Sequence, residues 1–282
     1  MNKINNLIFL LSLPIFISCA SLPSVSSDID NITPQWQSFA DGIGFFHGKT
    51  ASPKIEFWAL RIDLSQEDLH IVVRGGADGS KQTLNTKVTS FVSDNNLLAG
   101  INAVPFDIVS SREGLPVKNM GIVISDGITI TSANQRYDAL VFYTDGSAAI
   151  VSQSLIESTG NIKNAVGGFH KILADGQLTQ RTLNTEARHP RSAAGISPDG
   201  KYLYLLVIDG RRLGSIGATE RETALLLRSL GSEDGINFDG GGSSVLALRY
   251  PDGRVRAVNT PIHSGIPGRQ RAVAGCIGIR AD

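Results

Sequence analysis

Two segments of the chain run from a short apolar stretch into an aspartate and then into glycine. In residues 235–245, Ile236-Asn237-Phe238 leads to Asp239, and Gly240, Gly241 and Gly242 precede Ser243 and Ser244. In residues 202–212 an apolar run ends in Asp209-Gly210, followed by Arg211 and Arg212. An aspartate at a strand end can move a proton or offer oxygen to a cation. Three successive glycines remove every side chain that would keep a ligand from the backbone, so their N–H groups could surround an anion. The run lacks the Gly-Lys-Ser/Thr of a nucleotide-phosphate loop and the spacing of a dinucleotide fingerprint. A wide glycine turn is the plain structural alternative.

Other residues could join that chemistry. In His189-Pro190-Arg191 the proline fixes the chain so that Arg191 heads the next strand, and an arginine fork suits phosphate or carboxylate. Arg211 and Arg212 read equally well as surface residues. His189 reads as an acid, a phosphate partner or a loop histidine, and Asn102 as a ligand of sugar hydroxyls or simply a strand end. Glu222 is ambiguous, because Thr219-Glu220-Arg221-Glu222 is a helix capping box, with Gly231 as the stop. Asp107, Asp209 and Asp239 could together hold calcium or magnesium, the only cofactors the residues suggest. His47, His70, His170 and His263 show no metal spacing, and Ser243 lacks a nucleophile elbow.

The elements that would position these groups are mostly strands. Apolar segments at 55–64, 69–74, 97–102, 121–125, 139–144 and 202–209 are short and bounded by glycine, aspartate or asparagine. Asp145-Gly146 and Asp252-Gly253 are hairpin turns. Leu84, Val88, Phe91 and Val92 form one apolar stripe at helical spacing, and a second helix runs from the capping box to Leu230. No repeat or linker divides residues 40–280. The expectation is a single α+β domain over 36–282 with a mixed, largely antiparallel sheet and a few helices.

With 26 basic and 26 acidic residues among 282, the chain lacks the positive excess that nucleic acid binding requires. Hydrophobic residues make up 41%, enough for a packed core. Lys3 followed by an uncharged apolar run over 7–17 reads as a signal peptide, too short to span a bilayer. Phe16-Ile17-Ser18-Cys19-Ala20 resembles a bacterial lipobox, so residues 1–18 are expected to be removed and Cys19 to carry a lipid. Residues 19–35 would be a flexible tether to a membrane, with an exported domain beyond. Cys276, in an apolar strand-like run, reads as a core residue.

Taken as a set, Ile101-Asn102-Ala103-Val104-Pro105-Phe106, Val166-Gly167-Gly168, Arg191-Ser192-Ala193-Ala194-Gly195, Asp209-Gly210-Arg211, Gly217-Ala218-Thr219 with Glu222 and Ala224, Asn237 to Ser244, and Arg271-Ala272-Val273 resemble the phosphodiester glycosidase family. Pro105 stands where an aromatic is usual. The resemblance implies hydrolysis of a sugar 1-phosphodiester at the glycosidic carbon of a glycan or sugar-phosphate substrate. It implies phosphate bound by Arg191, Arg271 and the amides of Gly240, Gly241, Gly242 and Ser243. Asn102 and His189 would be substrate neighbours, and Asp209, Glu222 and Asp239 the carboxyl groups near the anomeric carbon. A metal-dependent phosphodiesterase and a noncatalytic glycan-binding surface protein are the two other readings.

Overall fold

The computed structural model describes residues 28–76, 82–184 and 186–282. The segment expected to be a signal peptide, Cys19 and residues 20–27 of the expected tether lie outside the described residues. The domain begins earlier than Trp36. Ile29 is fully buried, and the Asp28 carboxylate accepts the Ala51 and Ser52 N–H groups. The tether expected over 19–35 therefore does not extend past residue 27, because a turn at Asp28–Asn31 is already packed on the domain.

The largest sheet has eight strands in the order Gln37–Ala40, Ile43–Thr50, Ile55–Asp63, Tyr202–Ile208, Arg191–Ile196, Asp234–Asn237, His170–Ala174 and Gln177–Leu178. Its central strands read as continuous apolar runs because both faces are covered. Phe57, Ala59, Leu206 and Ile208 pack on the helix Glu220–Leu230. Trp58, Leu60, Leu205 and Val207 face a core shared with two five-stranded sheets. One of these runs Ala148–Ser152, Asp138–Tyr143, Ile162–Gly167, Val123–Ser125, Ile128–Thr131, and the other Val255–Ala257, Leu246–Arg249, Ala99–Asn102, Cys276–Ala281, Leu69–Val73. The helix Val88–Asp94 covers the outer face of the latter through Val88, Phe91 and Val92. Every ladder between the named strands is antiparallel, and the two aspartate-glycine hairpins form where the sequence places them.

One expectation changes in detail, and another holds. Leu84 falls outside the first helix, in a two-residue strand paired with Pro116–Val117, so that apolar stripe joins two elements. Cys276 is fully buried, and burial pushes its thiol up to about 12, as a core cysteine requires. No described helix is long and apolar enough to cross a membrane.

The register of the large sheet decides what meets at its end. Arg191 pairs with Ile208, and Ala193 pairs with Asn237, which also pairs with His170. Asp209, Asp239, Arg191 and His170 are thereby gathered at one edge, beside the N-terminus of the Glu220–Leu230 helix.

Candidate active site

Asp239 lies just past its strand, where its N–H donates to the Ala103 carbonyl at 2.9 Å. Asn102 fixes this junction. It is fully buried, its Nδ2 donates to the Asp239 carbonyl at 2.6 Å, and its Oδ1 accepts from the Ser192 hydroxyl and the Val245 N–H. Of its two readings, a ligand of sugar hydroxyls or a strand end, the second describes its place: Asn102 closes a strand and holds three chain segments together beneath the site. Burial pushes the Asp239 carboxyl up to about 6, against the opposing pull of the Ser243 hydroxyl, the Arg271 charge and the Gly240 N–H. It has no ion pair within contact distance among the described residues, unlike the other candidate carboxylates.

Asp209 is buried and fully engaged. It pairs with Arg212 and accepts from Asn259 Nδ2 at 3.0 Å and from the Thr260 N–H at 3.1 Å. Arg212 continues to Glu56, which also binds His47 and Lys49. This network anchors the loop after the Tyr202–Ile208 strand.

Glu222 completes the capping box, accepting the Thr219 N–H at 2.9 Å, and receives both arms of the Arg188 guanidinium. These contacts assign it to holding the helix start and residues 188–191. Glu222→Ala should therefore lower stability by about 1–3 kcal/mol, read as a fall in melting temperature. Glu222→Gln, which can still cap, should recover part of it.

Asp107 is exposed on a separate loop and accepts the Lys118 N–H. No group of three or more His, Cys, Asp or Glu side chains able to hold a metal ion occurs among the described residues. The three aspartates considered as calcium or magnesium ligands thus do not converge.

The glycine run does not present a row of free amides. The N–H groups of Gly241, Ser243 and Ser244 donate to Pro190, Gly240 and Gly241 carbonyls, and that of Gly240 turns to the Asp239 carboxyl. The glycines serve clearance instead. A β-carbon on Gly240 would sit 2.8 Å from the Pro190 carbonyl oxygen. One on Gly241, whose φ is +65°, would lie 3.2 Å from Arg211 Nη2, and one on Gly242 would lie 3.0 Å from Arg271 Nη2. Two guanidinium groups therefore lie over the glycines. Gly241→Ala should cost about 1–2 kcal/mol of backbone strain and displace Arg211, so activity should fall further than the melting temperature suggests.

Arg271 donates to the Ser243 hydroxyl at 3.1 Å and reaches His263 Nδ1 at 3.5 Å. Burial lowers its pKa, with Asp239 opposing and the like charge of Arg211 adding to the shift. Arg211 is exposed, has no ion pair within contact distance among the described residues, and has a left-handed φ of +59°. Such a backbone is uncommon outside glycine and points to a functional constraint. His189 and His263 are both held below the usual histidine range by burial and neighbouring arginines, Arg191 and Arg211 for the first and Arg271 and Arg269 for the second. They are neutral at neutral pH and able to accept.

Arg191 differs from its expected role. Its guanidinium donates to the Ala218 and Ala187 carbonyls at 3.0 and 3.1 Å, and Nη1 lies 3.5 Å from Glu220. Glu220 also binds His170 at 2.7 Å. This set ties the helix start to the sheet edge. Of the groups around the glycine run and Arg271, the sequence left Arg211 undecided and weighed His263 only as a metal ligand. The signals for Arg211 were its place just after a strand-end Asp-Gly and its membership of the Asp209-Gly210-Arg211 motif.

A partly buried, protonatable aspartate beside Arg271, with Arg211 over the adjoining glycine, is a site for an anionic ester whose leaving group needs its charge stabilised. The family model for phosphodiester glycosidases matches residues 95–280. The chain belongs to the phosphodiester glycosidase family. Its fold is similar to the zebrafish N-acetylglucosamine-1-phosphodiester alpha-N-acetylglucosaminidase catalytic domain auto-inhibited by its pro-peptide. The TM-score is 0.63 at 19% identity, over 89% of each chain. It is also similar to a hypothetical protein from Synechocystis, with a TM-score of 0.68 at 14% identity over 89% of this chain and 64% of the other. In sequence it is 30% identical over 158 residues to the SPbeta prophage-derived uncharacterized protein YomE of Bacillus subtilis (strain 168). That match spans 49% of this chain and 24% of the relative's length. Within the family's matched region lie Asp239, the glycine run, Arg211 and Arg271.

Proposed function

We propose that this phosphodiester glycosidase family member hydrolyses the glycosidic bond of sugar 1-phosphodiesters, with Asp239 as general acid and Arg211 and Arg271 as the phosphate clamp. The observation that carries the reading is geometric: Arg211 and Arg271 lie over the glycine run that follows Asp239, and Ser243 joins Arg271 to the Asp239 carboxyl. Cleavage at the anomeric carbon develops oxocarbenium character on the sugar and negative charge on the departing phosphate. The two guanidinium groups stabilise that charge where it forms. A carboxylic acid of pKa about 6 is matched to a phosphate oxygen of similar basicity, so its proton can follow the leaving group. Ser243 links the two parts, accepting from Arg271 while its hydroxyl meets Asp239. Neutral His263 and His189 border the clamp without adding charge. Asn102, Asp209, Arg191 and Glu222 act beneath the site by fixing the loops that carry these groups.

The test is release of free sugar from a panel of sugar 1-phosphodiesters by residues 20–282, with and without chelator, and with Asp239→Asn as control. The reading expects release that survives the chelator and is lost in the variant. Binding without release across the panel would instead support a glycan-binding role, and loss on chelation a metal-dependent phosphodiesterase.

The lipobox-like residues around Cys19 extend the proposal to place. The protein would be an exported lipoprotein, anchored to a membrane through Cys19 and acting on envelope or extracellular glycans. Incorporation of a labelled fatty acid that disappears in Cys19→Ala is the expected result.

A further inference from the structure

A cavity of about 450 Å³ lies on the far side of the loop that borders the candidate active site. The loop leaves Ala103, whose carbonyl accepts the Asp239 N–H, and returns at Ser110, whose carbonyl accepts the Ala272 N–H beside Arg271. Between these anchors, Asp107 and Ile108 turn into the cavity wall. The volume falls within the ~300–1,000 Å³ of ordinary small-molecule sites.

The hydrogen bonds of the wall are incomplete in one specific way. Asn119 Nδ2 donates both protons, to Thr83 Oγ1 at 2.8 Å and to Thr131 Oγ1 at 3.1 Å. Each threonine hydroxyl thus accepts a bond while its own proton has no acceptor among the described residues. Thr83 is only 5% exposed, so an unmet donor there carries a real cost. Asn119 Oδ1 is buried without a donor as well. Pro116 and Val117 supply apolar surface beside these polar atoms, and the charged wall residues, Asp107 and Lys118, are exposed and opposite in sign. A ligand matching this wall is uncharged, carries both acceptors for the threonine hydroxyls and a donor for Asn119 Oδ1 on one face, as sugar hydroxyls do, and is apolar on another.

We propose that this cavity is a second carbohydrate subsite, binding a neutral sugar unit one or more units away from the bond cleaved at Asp239. The proposal rests on the phosphodiester glycosidase reading of that site. It makes the preferred substrate an oligosaccharide rather than a single sugar phosphodiester, because one loop is wall to both sites.

The test compares a short sugar 1-phosphodiester with one extended by neutral sugars. It uses the wild-type chain, Thr83→Val, which removes a hydroxyl at nearly constant shape, and Thr131→Trp, which fills the cavity. The expected result is a KM for the extended substrate raised about 3- to 10-fold by Thr83→Val and more by Thr131→Trp, with the short substrate unaffected. Equal effects on both substrates, or none on either, would overturn the subsite while leaving the glycosidase reading intact. Nuclear magnetic resonance titration of Asp239→Asn with the neutral oligosaccharide alone gives an independent readout. Shifts at Thr83 and Thr131 are expected, and their absence overturns the subsite whether or not any substrate is turned over.

Discussion

Replacing Asp239 by asparagine should lower sugar release by about 10²- to 10⁴-fold, the range that a positioned general acid contributes, and should leave the fold intact. Asparagine fits the same space and can still accept from Ser243 and the Gly240 N–H. It cannot donate the proton that the leaving phosphate takes. The same change should stabilise the protein at neutral pH. The carboxyl is raised from 3.8 to about 6 in the folded chain, chiefly by burial, so folding favours its protonated form. That stability is fully present below pH 4 and is lost as pH rises through 6. Above pH 6 the ionised group therefore costs up to about 3 kcal/mol. Asp239→Asn removes the cost, so its melting temperature should exceed that of the wild type at pH 8 and match it near pH 4. A variant that is inactive and also less stable at pH 8 would point to a structural role instead. In the wild type, kcat/KM should fall as pH rises through about 6, following the acid form.

The second large effect is expected at Arg271. Arg271→Ala should cost about 10²- to 10³-fold in kcat, the usual loss when one donor to a developing anion is removed. Lysine should restore little, because its point charge cannot reach Ser243 and a phosphate oxygen with the geometry of the guanidinium fork. The pH profile separates catalysis from folding. The Arg271 charge lowers the Asp239 pKa, so removing it should move the falling limb of the profile to higher pH. A drop in activity with an unmoved limb would place Arg271 away from Asp239 in the working site. Arg211→Ala should also lower activity, with little change in stability, since this side chain is exposed and has no ion pair within contact distance among the described residues.

The sheet architecture was legible because short apolar runs, glycine boundaries and two Asp-Gly turns are local signals, and the capping box at Thr219 and Glu222 formed as written. The register brings Asp209, Arg191 and Asp239, three residues of the family motifs, to one edge of the large sheet. What the chain did not disclose was which polar groups are already satisfied. Asp209 and Asp239 end their strands in the same way in sequence, yet one is ion-paired to Arg212 and bound by Asn259 and Thr260, while the other meets only Ser243, the Gly240 N–H and the more distant Arg271 charge. Arg191 and Arg211 look equally cationic, and only tertiary packing ties the first to two carbonyls and Glu220. The three glycines signalled close approach correctly, but what approaches is a pair of guanidinium groups rather than a ligand held by amides. Such distinctions depend mostly on partners 27 to 51 residues away, which spacing along the chain does not encode.

The most direct measurement is hydrolysis of a sugar 1-phosphodiester in oxygen-18 water, followed by mass spectrometry of both products. Cleavage at the anomeric carbon, with Asp239 protonating the departing phosphate, predicts label in the free sugar and none in the phosphate product. Label in the phosphate would mean attack at phosphorus, and would contradict a glycosidase built on Asp239, Arg211 and Arg271.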